Sequence, residues 1–285
     1  MSYQSIFTSD LFSGTRIIVT GSGSGIGRCI AHELASLGAD LLLLGRTKSK
    51  LAKVKKEIME DGGSAQFSTC DIREPSQIED ALVKCESIDA LVNCAGGQFP
   101  ALLSEMSTNG FEAVIRNNLV GTFNVSKAAF DHSLRNRGGS IVNITANEEG
   151  GVPLMGHTGA ARAAVHNLTQ TAALEWAEFN IRVNAVAPGY IASSGFGTYT
   201  DERMLRAIEH FPETTPMGRV GTEAEISAMV SFLLSPAAAF ITGQVFRVDG
   251  GASLNVGSAM LIPDNANEST PFDAFHRSHN KNQFD

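Results

Sequence analysis

Short apolar runs recur along this chain with helix-period segments between them, and that alternation limits the fold more than any single motif. The runs are Arg16–Thr20, Asp40–Leu44, Ala65–Thr69, Ala90–Asn93, Ser140–Thr145, Arg182–Ala187 and Gln244–Val248. Between them apolar residues return at the 3.6-residue period: Ile26, Ile30, Leu34 and Leu37 after the first run, and Ala160, Ala164, Leu168, Ala172 and Trp176 after the fifth. Strands of this kind linked through helices are covered on both faces. The pattern therefore predicts an α/β fold, a single-domain Rossmann fold with a doubly wound seven-stranded parallel sheet and helices on both faces. A length of 285 residues leaves room for two domains, but α/β folds of about 250 residues often form one. The expected division is a catalytic domain over residues 1–257 and a polar tail over 258–285, in which Phe272 and Phe275 offer the means to dock. Residues 189–220 carry little strand pattern, and loops this long in a compact domain are usually functional, so they are expected to form a lid.

Composition removes several classes of function. With 43% hydrophobic and 18% charged residues a large core is available and wholesale disorder is excluded. The 22 basic against 30 acidic residues, net −8, argue against nucleic-acid binding through a general basic field. No apolar stretch approaches the ~18 residues of a membrane span, and Met1 to Arg16 lack the basic start and apolar middle of a signal peptide. The cysteines at 29, 70, 85 and 94 contain no C-x-x-C, so buried thiols in the cytoplasm are expected, with neither a metal site nor a disulfide framework.

Thr20-Gly21-Ser22-Gly23-Ser24-Gly25-Ile26-Gly27 follows the first strand and opens an amphipathic helix. A turn there can bring backbone N–H groups close to a diphosphate, where a Cβ would obstruct the approach, and the helix N-terminus adds partial positive charge. Gly21, Ser22, Ser24, Gly25, Ile26 and Gly27 are thus candidate cofactor ligands. The second strand ends at Gly45-Arg46, where an acid usually holds the ribose 2′-hydroxyl of NAD(H). A guanidinium at Arg46 pairs instead with a 2′-phosphate, which favours NADP(H) over NAD(H).

Further motifs follow in order: Asp71 after the third strand, Asn93-Cys94-Ala95-Gly96 at the end of the fourth, Asn118-Leu119 in a long helix, and Pro188-Gly189-Tyr190-Ile191 at the end of the sixth. From about Phe12 to Leu254 the chain resembles the short-chain dehydrogenase/reductase family. The resemblance implies that Asp71 and Ile72 meet the adenine, that Asn93, Ala95 and Gly96 line the cofactor cleft together with Pro188 and Gly189, and that Ile191 faces the nicotinamide amide. It also implies a homotetramer or homodimer acting on a small-molecule substrate. Ala95 to Phe99, His157 to Ala163, Asn167 to Thr169, Ala173 to Trp176 and Phe240 to Gln244 are similar to the peroxisomal trans-2-enoyl-CoA reductases. The 2,4-dienoyl-CoA reductases are a second, weaker likeness, and Asn282-Gln283-Phe284-Asp285 is not a peroxisomal targeting tripeptide.

The departures bear on chemistry. The family's serine position falls on Ala146 or, with a one-residue shift, Thr145, and its Tyr-x-x-x-Lys becomes Thr158 and Arg162 with the spacing of four kept. Threonine has no acidic form near neutral pH, and arginine, with a pKa above ~12, does not relay a proton. Carbonyl and alcohol chemistry are disfavoured. Reducing a C=C bond conjugated to a thioester instead places charge on the thioester oxygen, which needs hydrogen-bond donors. Asn118, Thr145, Thr158 and the charge of Arg162 are the candidate catalytic groups, and an acyl-CoA is the candidate substrate. Two alternatives stay open: an alcohol or keto dehydrogenase, for example of acyclic terpenoid or fatty-acyl substrates, with a rearranged proton route; and a cofactor-binding protein with no turnover. His157 and His166 are either proton donors or structural histidines. Tyr190, Glu148 and Glu149 flank the cleft, Phe196, Tyr199, Met204, Phe211 and Met217 form either an acyl lid or core, and Arg206 and Arg219 are weak candidates for CoA phosphates.

Overall fold

The computed structural model describes residues 2–254 and 269–278. Its strands are β1 (Arg16–Thr20), β2 (Asp40–Gly45), β3 (Ser64–Thr69), β4 (Ala90–Asn93), β5 (Gly139–Ile144), β6 (Ile181–Pro188), β7 (Ile191–Ala192), β8 (Gly221–Thr222) and β9 (Val245–Val248). Seven form one parallel sheet in the order β3-β2-β1-β4-β5-β6-β9, and β7 pairs with β8 beside it. The pleat sends alternate side chains to opposite faces. Ile17, Val19, Leu41 and Leu43 enter one core with α1 (Gly25–Ser36), α2 (Lys48–Glu60) and α9 (Glu223–Leu234). Ile18, Leu42, Leu44 and Leu91 enter the other with α3 (Pro75–Leu82), α5 (Gly121–Ala129) and α7 (Gly156–Glu175). This is the doubly wound α/β architecture expected from the alternation.

Strand ends differ from the sequence reading by at most one residue, and one difference matters. β5 stops at Ile144, so Thr145 stands just beyond the strand with its N–H still bonded to Val186 O at 2.8 Å. The long helix carrying Asn118 is α4 (Thr108–Ile115), α5 and α6 (Arg135–Arg137) joined through wider π turns at Arg116–Val120 and Phe130–Leu134. π turns recur at functional positions because they rotate a side chain out of the regular helical register, and the first contains Asn118.

Residues 189–220 are more ordered than their sequence indicates. They contain β7 and α8 (Glu202–Thr214), whose apolar Met204, Ile208 and Phe211 share one face and whose N-terminus is capped by Asp201. Pro212 inside the helix disguised that period. Phe196, Tyr199, Met204 and Phe211 pack around Met155, and Tyr190 stacks on Phe211 with centroids 3.6 Å apart. Met217, by contrast, is largely exposed. The switch between tail and domain expected near residue 257 lies outside the described residues, as do Asn282 to Asp285. Residues 269–278 do dock: Phe275 is 1% exposed among Tyr3, Cys29, Ala224 and Ala274, with Phe272 against the same cluster. No helix among the described residues is long and apolar enough to cross a membrane.

Candidate active site

Beyond the C-terminal ends of the strands lies a cavity of about 730 Å³, at the switch of strand order between β1 and β4 where open α/β sheets bind ligands. One end is made by the glycine turn. Gly21 has φ +69°, and a Cβ there would stand 2.8 Å from Ala95 Cα, so turn and β4 approach as only glycine permits. Thr20 fixes the opposite wall: its hydroxyl accepts the N–H of Cys94 at 3.0 Å and of Ala95 at 2.9 Å. That role of Thr20 was not foreseen; the signal was a hydroxyl ending a buried strand beside the turn. The wall continues with Ser24, Gly25, Ile26 and Gly27, then Arg46, Asp71 and Ile72, and the exposed Arg46 is joined by Lys50. Asp71 is chelated by Arg73, whose guanidinium holds the carboxyl down at about 2. These cations, bare glycine backbone and a helix N-terminus suit the dinucleotide the fold implies.

Ser22 and Asn93 lie behind this wall. The Ser22 hydroxyl turns to Leu44 O at 3.4 Å, and the Asn93 amide donates to Ser126 Oγ at 2.8 Å and Asn143 Oδ1 at 2.9 Å. Both are fully buried, so they brace the strands that form the cavity and do not reach into it. Glu223 was also unforeseen. It lines the cavity with Oε1 3.9 Å from where a Gly25 Cβ would stand, and burial pushes its carboxyl up to about 7.

The other end is made by Ala95, Gly96, Ile144, Thr145, Ala146, Arg162, Pro188, Gly189 and Ile191. Arg162 reaches from α7 beneath Gly96, where a Cβ would collide with its guanidinium, and donates to Ile144 O at 2.8 Å. Burial draws its pKa down to about 10, so it is a cation at neutral pH. Thr145 Oγ1 donates to Val186 O at 3.1 Å and lies 2.7 Å from His166 Nε2, while His166 Nδ1 lies 2.8 Å from Glu148 Oε1. Burial lowers the His166 pKa, Arg247 and Arg162 add to that, and Glu148 opposes them.

A family model described as Enoyl-(Acyl carrier protein) reductase matches residues 21–253. The chain belongs to the short-chain dehydrogenase/reductase family. As members of this family are, it is a nicotinamide-dependent oxidoreductase. It is 35% identical over 280 residues to the peroxisomal 2,4-dienoyl-CoA reductase of Mus musculus, covering 96% of this chain and 93% of that one. A probable 2,4-dienoyl-CoA reductase of Bacillus subtilis is 37% identical, with 84% and 96% covered. Among solved structures, the citronellol catabolism dehydrogenase (AtuB) of Pseudomonas aeruginosa PAO1 is 49% identical with TM-score 0.79, covering 88% of this chain and 100% of that one.

Two family positions do not reach the cavity of this short-chain oxidoreductase. Asn118 is fully buried. Its amide donates to Gly97 O at 2.8 Å and Val114 O at 2.9 Å and so clamps the turn after β4. Thr158 is 3% exposed, its hydroxyl 3.3 Å from His157 Nδ1, and it is absent from the cavity wall. The four-residue spacing does put Thr158 and Arg162 on one side of α7, but only the arginine is long enough to span to Gly96. His157 is itself packed edge-on against Phe99. Tyr199 lines the cavity from the lid, its hydroxyl accepting from Gln98 Nε2 at 2.7 Å. Arg219 is committed to Glu225, exposed Arg206 faces Glu202, and Glu149 is paired with Arg247.

Proposed function

We propose that this protein is an NADP(H)-dependent reductase of a C=C bond conjugated to a coenzyme A thioester, with 2-enoyl and 2,4-dienoyl chains as its substrate class. The observation that carries the reading is the pairing at α7: Thr158 where the family has a phenol, and a buried Arg162 guanidinium on the cavity wall. When bound, the reduced nicotinamide supplies a hydride to the carbon β, or δ in a dienoyl chain, to the thioester. Negative charge then accumulates on the thioester oxygen. A fixed cation shielded from water stabilises such charge without reorganising, and Arg162 is held in place by Ile144 O. The Thr145 hydroxyl, which donates to Val186 O, stands on the same wall. Asn118 acts by holding Gly97, and with it the turn against which Arg162 rests.

Arg46 with Lys50 supports NADP(H) as the cofactor, since two exposed cations stand together on the cavity rim where a 2′-phosphate needs them, with Asp71, already chelated by Arg73, near Arg46. We also place the protein in the cytoplasm as a homotetramer or homodimer; its four free thiols are in keeping with a reducing compartment. A second reading is NADP(H)-linked oxidation of an acyclic terpenoid alcohol, favoured by the 49% identity to the citronellol catabolism dehydrogenase. One panel separates them: NADPH with crotonyl-CoA, longer 2-enoyl-CoAs, 2,4-hexadienoyl-CoA and ketones, and NADP+ with citronellol, followed at the nicotinamide absorbance. Turnover confined to the thioesters supports the reductase; turnover confined to alcohols or ketones overturns it.

A further inference from the structure

Reduction of a C=C bond consumes one hydride and one proton, and the family's proton donor is missing at Thr158. Three residues from three parts of the chain meet where that proton is needed. Thr145 lies on the cavity wall, His166 stands behind it on α7 with Nε2 2.7 Å from Thr145 Oγ1, and Glu148, in the loop after β5, faces His166 Nδ1 at 2.8 Å. The histidine and carboxylate side chains are 14% and 17% exposed, so neither is a free surface group. We propose that Thr145, His166 and Glu148 form a proton relay that delivers the proton of the reaction to the substrate carbon through the Thr145 hydroxyl. The proposal rests on the C=C reductase reading and deepens it.

In the imidazolium form Nδ1–H donates to the Glu148 carboxylate and Nε2–H to Thr145 Oγ1, leaving the Thr145 proton on Val186 O or free to turn into the cavity. As hydride adds at one carbon and the enolate forms, the Thr145 proton passes to the α-carbon, or to the terminal carbon of a dienolate. Nε2–H replaces it on Oγ1, and the ring becomes neutral. Glu148 holds the ring orientation. After product leaves, water returns a proton to Nε2 through the same hydroxyl. Thr145 touches substrate and is the catalytic group; His166 and Glu148 act through it. The charged groups facing the imidazole are Glu148 from the loop after β5, Arg162 from α7 and Arg247 from β9, the last paired with Glu149. Burial and the two arginines weaken the imidazolium while Glu148 supports it.

The test has two arms. In the first, kcat for enoyl-CoA and dienoyl-CoA reduction is followed from pH 5 to 9. The wild-type rate should fall tenfold per unit above the His166 pKa. His166→Gln and Thr145→Val should lose about 100-fold in kcat with KM little changed and without that limb, and Thr145→Ser, which retains the hydroxyl, should recover the limb and most of the rate that Thr145→Val loses. In the second, the imidazole of His166 is titrated by NMR in cofactor-free protein, where Glu148→Gln should lower its pKa by about one unit. A His166→Gln enzyme with wild-type rate and profile overturns the relay, and so does a His166 titration that ignores both Glu148→Gln and Thr145→Val. If thioesters are inert but alcohols are oxidised, the substrate reading falls while the relay stands, provided that the limb appears reversed, with oxidation failing below the His166 pKa. If no substrate turns over, the titration decides alone: a shifted pKa supports the relay, an unshifted one overturns it.

Discussion

At the glycine-turn end of the cavity backbone and exposed cations dominate, with the buried Glu223 carboxyl beside Gly25, whereas at the Thr145 end the polar side chains on the wall are buried and each is held by named partners. Gly21, Gly25 and Arg46 meet the cavity from turns that directly follow β1 and β2, although Gly21 also abuts Ala95 after β4. Thr145 and Arg162 are placed by Val186, His166 and Ile144, residues brought together through the packing of β5, β6 and α7. On the proposed reading the first end takes a cofactor common to many enzymes, and the second, built by tertiary packing, sets what chemistry is done.

The largest expected effect lies at the first end. Gly21→Ala must place a Cβ at φ +69°, 2.8 Å from Ala95 Cα and 2.9 Å from Cys94 O. Strain of about 1–2 kcal/mol joins a backbone clash, and NADPH affinity measured by nicotinamide fluorescence should fall at least ~100-fold, a loss of about 2.7 kcal/mol. Affinity within threefold of wild type would show that the turn adapts, erasing the contrast with the packed end. At that packed end, restoring the family's pair as Thr158→Tyr with Arg162→Lys should bring no gain in enoyl reduction. The added ring has no space at a 3% exposed site, so denaturant unfolding should report a loss of about 2 kcal/mol. New ketone reduction with unchanged stability would make this end as modular as the other.

Two smaller effects are expected at the glycine end. Arg46→Ala should weaken NADPH about tenfold and leave NADH unchanged, since only a 2′-phosphate answers the guanidinium; equal loss for both cofactors would remove the cationic rim from the argument. Glu223 carries the opposite charge beside Gly25. With its carboxyl raised to about 7, it is neutral below that pH and ionised above it, so NADPH binding should weaken as pH rises through 7. At effective dielectric constants near 20 a repulsion of about 1 kcal/mol, or roughly fivefold in affinity, is expected between pH 6 and 8. Glu223→Gln should flatten that slope, and titrations at the two pH values in both proteins decide it.

Much of the molecule is legible in its sequence. All seven sheet strands, their order of appearance and helix α1 follow from hydrophobic period; α7 also forms where it was expected, but it buries Ala161, Val165, Thr169 and Ala172 while Ala160 is exposed and Ala164 and Leu168 are only half-buried. Helix α8 escaped because Pro212 sits inside its last turns. In the site, most backbone-based assignments point into the cavity, while Ser22, Asn93, Asn118 and Thr158 turn away from it. In each of the four, a polar side chain found a nearer buried partner: Leu44 O, Ser126 and Asn143, Gly97 and Val114, or His157.

Period, turn conformation and strand-end placement depend on neighbours a few residues apart, and an unaided string of amino acids carries that information because pleat and helix repeats are local properties of the backbone. Which hydroxyl faces the cavity does not. Each step along a helix turns the side chain by ~100°, and whether Thr158 or His166 meets the end of β5 rests on how α7 lies against that strand and on how far each side chain reaches. The contact between His166 and Thr145 spans 21 positions of sequence and exists only once sheet and helix are packed.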